Sequence, residues 1–79
     1  MKLVNICNNC QLVTTGENNI VFSYGTPVFV MSQGHHHRRL WNGWSATTQK
    51  HINKCLDYMG LSHINKKVWD SMPVETLEG

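Results

Sequence analysis

The sequence is short of acidic side chains, of proline and of long apolar runs. Its 79 residues include five Asp plus Glu and two prolines, and only 15% of them are charged. No apolar run approaches the roughly 20 residues that cross a bilayer, so no transmembrane helix and no membrane partner are expected. The stretch Met1-Lys2-Leu3-Val4-Asn5 has neither the apolar centre nor the small-residue cleavage site of a secretory signal. A soluble, intracellular protein is the expectation. Three cysteines cannot all pair within one chain, which points to reduced thiols rather than a disulfide framework. A chain of this length buries only about 60% of the surface its unfolded form exposes. A single small domain over residues 1–79 follows, and a large cleft enzyme with its own cofactor fold is excluded.

What charge there is has an uneven distribution. Seven Lys plus Arg against five acids give a net charge of +2. Six of the seven bases and all five histidines lie between Asn18 and Trp69, where Asp57 is the single acid. From Asp70 onward there are three acids and no base. Such asymmetry suits an anionic partner for the middle of the chain.

The apolar pattern changes period along the chain. Lys2 to Cys7 and Cys10 to Thr15 read as two short strands around Asn8-Asn9, and Gly16-Glu17-Asn18-Asn19 as the next turn. Ile20 to Tyr24 and Val28 to Met31 give the clearest strand signal. Pro27 cannot donate to a ladder, so a kink or an edge position is expected around Gly25-Thr26-Pro27. Ser32-Gln33-Gly34 and His35-His36-His37 form a loop, His37 to Trp41 can return as a strand, and Asn42-Gly43 is a turn dipeptide. From Ala46 to Met59 the period becomes helical, with Thr48, Ile52, Cys55, Leu56 and Met59 on one stripe. Ser45 or Thr47 is the expected N-cap, and Gly60 the residue that ends the helix. Leu61 to Asp70 suits either a strand or a helix, and Pro73 with Glu75 suits the first turn of a short terminal helix. The fold class expected is α+β: an antiparallel sheet of three to five strands packed against one main helix, with a short C-terminal helix.

Several constellations bear on chemistry. Cys7-x2-Cys10 and His51-x3-Cys55 supply the ligand types of a Cys3His zinc site. The two pairs are 40 residues apart, and Cys55 falls on the apolar stripe, which favours free thiols as core and turn residues. Zinc is therefore kept as an alternative and no cofactor is assigned. Three adjacent histidines alternate in direction along an extended chain and do not readily form one tetrahedral site. Arg38, Arg39, Trp41, Lys50, His51 and Lys54 combine cations with an aromatic ring, as nucleic-acid and other macromolecular contact faces do. Trp44 and Trp69 are expected in the core, with Trp41 open between core and surface. There is no P-loop, dinucleotide fingerprint, HExxH or nucleophile elbow, and no enzyme is expected.

Two stretches, Phe22-Ser23-Tyr24-Gly25-Thr26-Pro27-Val28 and Trp44-Ser45-Ala46-Thr47-Thr48-Gln49-Lys50-His51-Ile52, together resemble small phage-encoded domains of unknown function. In that pattern an F-S-Y-x-T-P-V strand leads through a hairpin to an aromatic residue and S-x-T-T-x-K-H at a helix start. The resemblance implies a viral or prophage origin and a helix packed across a small sheet, and it carries no assigned activity. Capping of the helix by Ser45, Thr47 and Thr48 is the favoured physical reason for the second block, with receipt of a phosphate or carboxylate by the helix amides and Lys50 as the alternative. The function expected is that of a non-enzymatic phage accessory protein in the host cytoplasm. It would bind, and inhibit or redirect, a host or defence macromolecule. Direct nucleic-acid binding is the alternative and a zinc-stabilised module the second. Homodimerisation through an exposed edge strand is a further expectation for so small a core.

Overall fold

Runs of β-branched and aromatic residues separated by two-residue turns fold the first half of the chain into an antiparallel meander. In the computed structural model, residues 2–16, 18–32 and 37–75 are described. The strands are β1 (Lys2–Cys7), β2 (Cys10–Thr15), β3 (Asn18–Ser23), β4 (Thr26–Ser32) and β5 (Arg38–Arg39). They lie in one sheet in chain order, each antiparallel to the next. The histidines His35 and His36, with Gln33 and Gly34, fall outside the described residues. Tyr24 and Gly25 join β3 to β4 with φ of 52° and 77°, the paired left-handed geometry of a type I′ hairpin turn. Tyrosine is a costly residue there, because its Cβ crowds the following carbonyl by about 1–2 kcal/mol. Pro27 sits where the β3–β4 register shifts, opposite Phe22, so the expected kink is a bulge.

Register divides the sheet into two faces. Val4, Leu12, Val21, Phe29 and Arg39 stand directly opposite one another across all five strands. Of these, Leu12, Val21 and Phe29 are fully buried. On the other face a parallel row runs Leu3, Val13, Ile20, Val30 and Arg38. Leu3 at its end is 67% exposed, whereas Val30 near its middle is fully buried.

The inner face is covered by two helices, α1 (Ala46–Tyr58) and α2 (Lys66–Ser71). Ser45 is the N-cap of α1: its backbone is extended and its Oγ accepts from the Thr48 amide at 3.1 Å. The helix ends as the glycine predicts. Gly60, at φ 75°, donates to the Asp57 carbonyl at 3.0 Å, and Leu61 donates to the Leu56 carbonyl at 2.8 Å, a Schellman motif. Ile52, Cys55 and Leu56 from α1 meet Cys10, Leu12, Val21 and Phe29 of the sheet. Trp69 of α2 completes this core beside Phe29, with ring centroids 6.2 Å apart, and its Nε1 donates to the Gly43 carbonyl at 2.8 Å.

Two expectations are corrected. The short C-terminal helix precedes Pro73 instead of starting at it. Asn65 caps α2 by accepting from the Val68 amide at 2.9 Å, and Pro73 holds Met72 in the extended region that closes the helix. Val74 then forms a parallel bridge to Arg39, and the Glu75 amide donates to the Arg39 carbonyl at 2.8 Å. Trp44 is not a core residue: it is 41% exposed, donates Nε1 to Gln49 Oε1 at 3.2 Å and carries the Lys66 ammonium 5.7 Å from its ring. Trp41 packs against the core in its place. The chain can turn over that ring because residue 43 has no side chain; a Cβ there would lie 2.5 Å from Trp41 Cζ2.

Trp69→Ala is expected to lose about 3–5 kcal/mol, enough to leave so small a domain largely unfolded at 25 °C. Gly43→Ala is expected to lose about 1–3 kcal/mol through overpacking against Trp41. Urea unfolding followed by tryptophan fluorescence measures both, and a Gly43→Ala midpoint equal to wild type would contradict the packing described.

Candidate binding cleft

The end of β3, the Tyr24-Gly25 turn and the start of α1 converge because α1 packs across the inner face with its N-terminus toward that turn. Between them lies a cavity of about 260 Å³. Ser23, Thr26, Ser45 and Thr48 supply hydroxyls to it, Tyr24 and Trp41 supply rings, and Val28 is its aliphatic wall. None of these lining side chains is charged.

Beneath the cleft is a buried polar cluster. Ser23, Thr48 and His51 are nearly inaccessible, with His51 6% exposed. Ser45 Oγ donates to Thr48 Oγ1 at 2.9 Å, Thr48 Oγ1 lies 3.4 Å from Ser23 Oγ, and Ser23 Oγ lies 2.8 Å from His51 Nδ1. A one-directional chain satisfies all four groups: Ser45 donates to Thr48, Thr48 to Ser23, and Ser23 to His51. That direction places the imidazole proton on Nε2. It also requires a neutral ring, and the surroundings favour one. Burial, and then the positive charge of Lys54, hold the His51 pKa below its ordinary value of 6.5. The Tyr24 ring packs on the imidazole with centroids 5.6 Å apart.

The residues anticipated as a basic and aromatic face are distributed differently. Arg38 and Arg39 are neighbours on a strand and point to opposite faces. Arg39 is drawn onto the core side, with its guanidinium 5.4 Å from the Trp69 ring and 3.9 Å from Asp70 Oδ1, and its side chain is 13% exposed. Arg38 Nη2 donates to Asn18 Oδ1 at 3.0 Å on the other face, and with His37 and Glu75 it borders a second cavity of about 440 Å³. Lys50 and Lys54 are exposed on α1. Trp41 and His51 are the two members brought together, one lining the cleft and the other below it.

The four residues written down as zinc ligands are also neighbours. Cys10 and Cys55 are buried with their sulfurs 3.7 Å apart, and Cys7 stands opposite Cys10 across the Asn8-Asn9 turn. His51, however, turns Nδ1 to Ser23 and offers Cys10 its backbone carbonyl, at 3.7 Å. Among the described residues, no group of three or more His, Cys, Asp or Glu is placed to hold a metal ion.

Sequence reasoning did not single out Ser23, Thr26 or Thr48 as site residues. Their signal was the density of hydroxyls in the two blocks, which capping alone accounts for until the blocks are seen to meet. Comparison with known proteins adds the family. The chain belongs to DUF8033, a family of unknown function, which it matches over residues 1–71. No curated protein and no solved structure matches it. The DUF8033 match takes in β1 to β5, α1, α2 and the residues that line the cleft.

The depressed pKa of His51 sets a pH dependence. The unfolded chain binds a proton at this residue more readily than the folded one, so stability is complete above the ordinary histidine range and falls as pH drops through about 6.5. The melting temperature of wild type is expected to fall between about pH 7.5 and 5.5, and His51→Gln to flatten that fall. Parallel wild-type and His51→Gln curves would remove His51 as its source.

Proposed function

We propose that this DUF8033 chain is a non-enzymatic phage accessory protein of the host cytoplasm that binds a host or defence protein through the cleft, with inhibition or redirection as the result. One observation carries the reading. The two blocks on which the phage resemblance rests are separated by the hairpin and the tryptophan loop, yet they meet at one place. Ser23, Tyr24, Thr26 and Val28 come from the first and Ser45 and Thr48 from the second.

The character of the cleft supports binding over catalysis. Among the described residues its lining holds hydroxyls and rings without a charged acid or base, and the imidazole of His51 beneath it is buried and engaged by Ser23. Such a surface suits an uncharged segment of a partner, with an apolar side chain against Trp41 and polar groups on the hydroxyls. The alternative, direct nucleic-acid binding, has less support because Arg39 is committed to Trp69 and Asp70 and faces away from Arg38.

Thr26→Tyr fills the mouth of the cleft at an exposed strand position that favours large side chains. A host-lysate pull-down with wild type and Thr26→Tyr, each with and without nuclease, tests the proposal. The expected result is a protein partner retained by wild type after nuclease and reduced about tenfold or more by Thr26→Tyr. Equal retention by both would dismiss the cleft as the contact. Loss of retention on nuclease treatment, with steep loss between low and moderate salt, would transfer the function to nucleic acid.

A further inference from the structure

The three cysteines, which the cleft does not use, form a continuous thiol path from the surface to the core. Cys7 is half-buried at the hairpin end, while Cys10 and Cys55 are fully buried. Cys7 and Cys10 are directly opposed residues of an antiparallel pair, a placement that sets their Cα atoms about 4.5–5.5 Å apart. That lies inside the window of about 4.4–6.8 Å in which a disulfide forms without moving the backbone. On the inner side, Cys10 and Cys55 already have their sulfurs in contact at 3.7 Å, and a disulfide needs them to close to about 2.05 Å.

We propose that this trio is a disulfide-exchange site: Cys7 takes oxidising equivalents from a low-molecular-weight disulfide such as oxidised glutathione and passes them through Cys10 to a buried Cys10–Cys55 disulfide. In the first step the Cys7 thiolate attacks one sulfur of the small disulfide, whose S–S bond breaks. One small thiol leaves with the proton that Cys7 gave up. Cys10 then attacks the Cys7 sulfur, forming a Cys7–Cys10 bond and releasing the second small thiol. Finally Cys55 attacks the Cys10 sulfur, the Cys7–Cys10 bond breaks, and Cys7 regains a proton. The sum is two protein thiols oxidised and one small disulfide reduced to two thiols.

The direction of the last step has a physical basis. The Cys10 and Cys55 sulfurs are in contact at 3.7 Å, so Cys55 stands within reach of the Cys10 sulfur. Cys55 is thus placed to attack the Cys10 sulfur once Cys10 is joined to Cys7. The leaving group, Cys7, is the one of the three thiols that is not fully buried, so the departing sulfur can take its proton from solvent. The product would tie β2 to α1 across an interval of 45 residues, a loop long enough to constrain the unfolded chain substantially.

The test uses purified full-length protein equilibrated with oxidised glutathione, alkylated in denaturant and mapped by peptide mass spectrometry. The expected product has Cys10 linked to Cys55 and Cys7 alone alkylated, with a melting temperature about 10 °C or more above the reduced protein. Cys7→Ser is expected to slow closure about tenfold or more, and Cys55→Ser to stop at a Cys7–Cys10 link. Three alkylatable thiols after equilibration, or glutathione left on Cys7 as the end product, would overturn the proposal. Closure of Cys10–Cys55 at an unchanged rate in Cys7→Ser would overturn the relay through Cys7.

Discussion

A buried hydrogen-bonded cluster between β3 and α1, centred on Ser23 and His51, constrains how the main helix sits on the sheet. Apolar burial holds α1 and the inner face together, but it is non-directional and tolerates a helix that rotates or slides. A polar pair at the same interface does not. Shifting α1 by one residue would leave both groups buried without a partner, at a cost of about 1–3 kcal/mol for each. The helix is thereby held at the rotation that places Ile52, Cys55 and Leu56 in the core and Ser45 and Thr48 at the mouth of the cleft. The cleft is a consequence of this register. Its hydroxyls come from two elements that are aligned only when Ser23 meets His51.

The alternation of the strands has an equally direct consequence for charge. Arg38 and Arg39 are adjacent in sequence, so they occupy opposite faces of β5. Arg39 enters the inner layer and covers Trp69, where its flat guanidinium suits an aromatic face better than an ammonium would. Arg38 closes the outer row, beside Asn18. The concentration of cations in the middle of the sequence therefore does not become one cationic surface. Part of it supports the fold.

Two features of the cleft carry local costs. Tyr24 adopts a left-handed conformation that glycine or asparagine would adopt more easily, and residue 43 has to be glycine to clear Trp41. Both positions border the same cavity through the rings of Tyr24 and Trp41. The strained tyrosine projects its ring over the buried imidazole, and the glycine lets the tryptophan lie inward. Conformational cost is thus located where the ring geometry of the cleft is set.

Much of the architecture was legible in the chain itself. Turn dipeptides and period-two alternation marked the strands, and a period of 3.6 with Ser45 and Gly60 at its ends marked α1, because these signals act between residues close in sequence. The burial of Trp69 was legible, whereas sequence wrongly assigns Trp44 to the core and leaves Trp41 open: composition makes all three candidates for a small core, and in the fold Trp41 packs against it while Trp44 is exposed. The end of the chain was misplaced for a similar reason, since Pro73 suits a helix start as well as a helix stop and the Asn65 cap decided between them. Sequence by itself therefore determined the first four strands and α1, their order, the free thiols and the burial of Thr48, Ile52, Cys55 and Leu56 on the α1 stripe, though Met59 at its end is exposed. Tertiary structure alone decided that Ser23 meets His51, that Cys10 meets Cys55 and that the two arginines part. Those pairings join residues far apart in the chain or divide neighbours between faces, and only the register of one element on another can specify them.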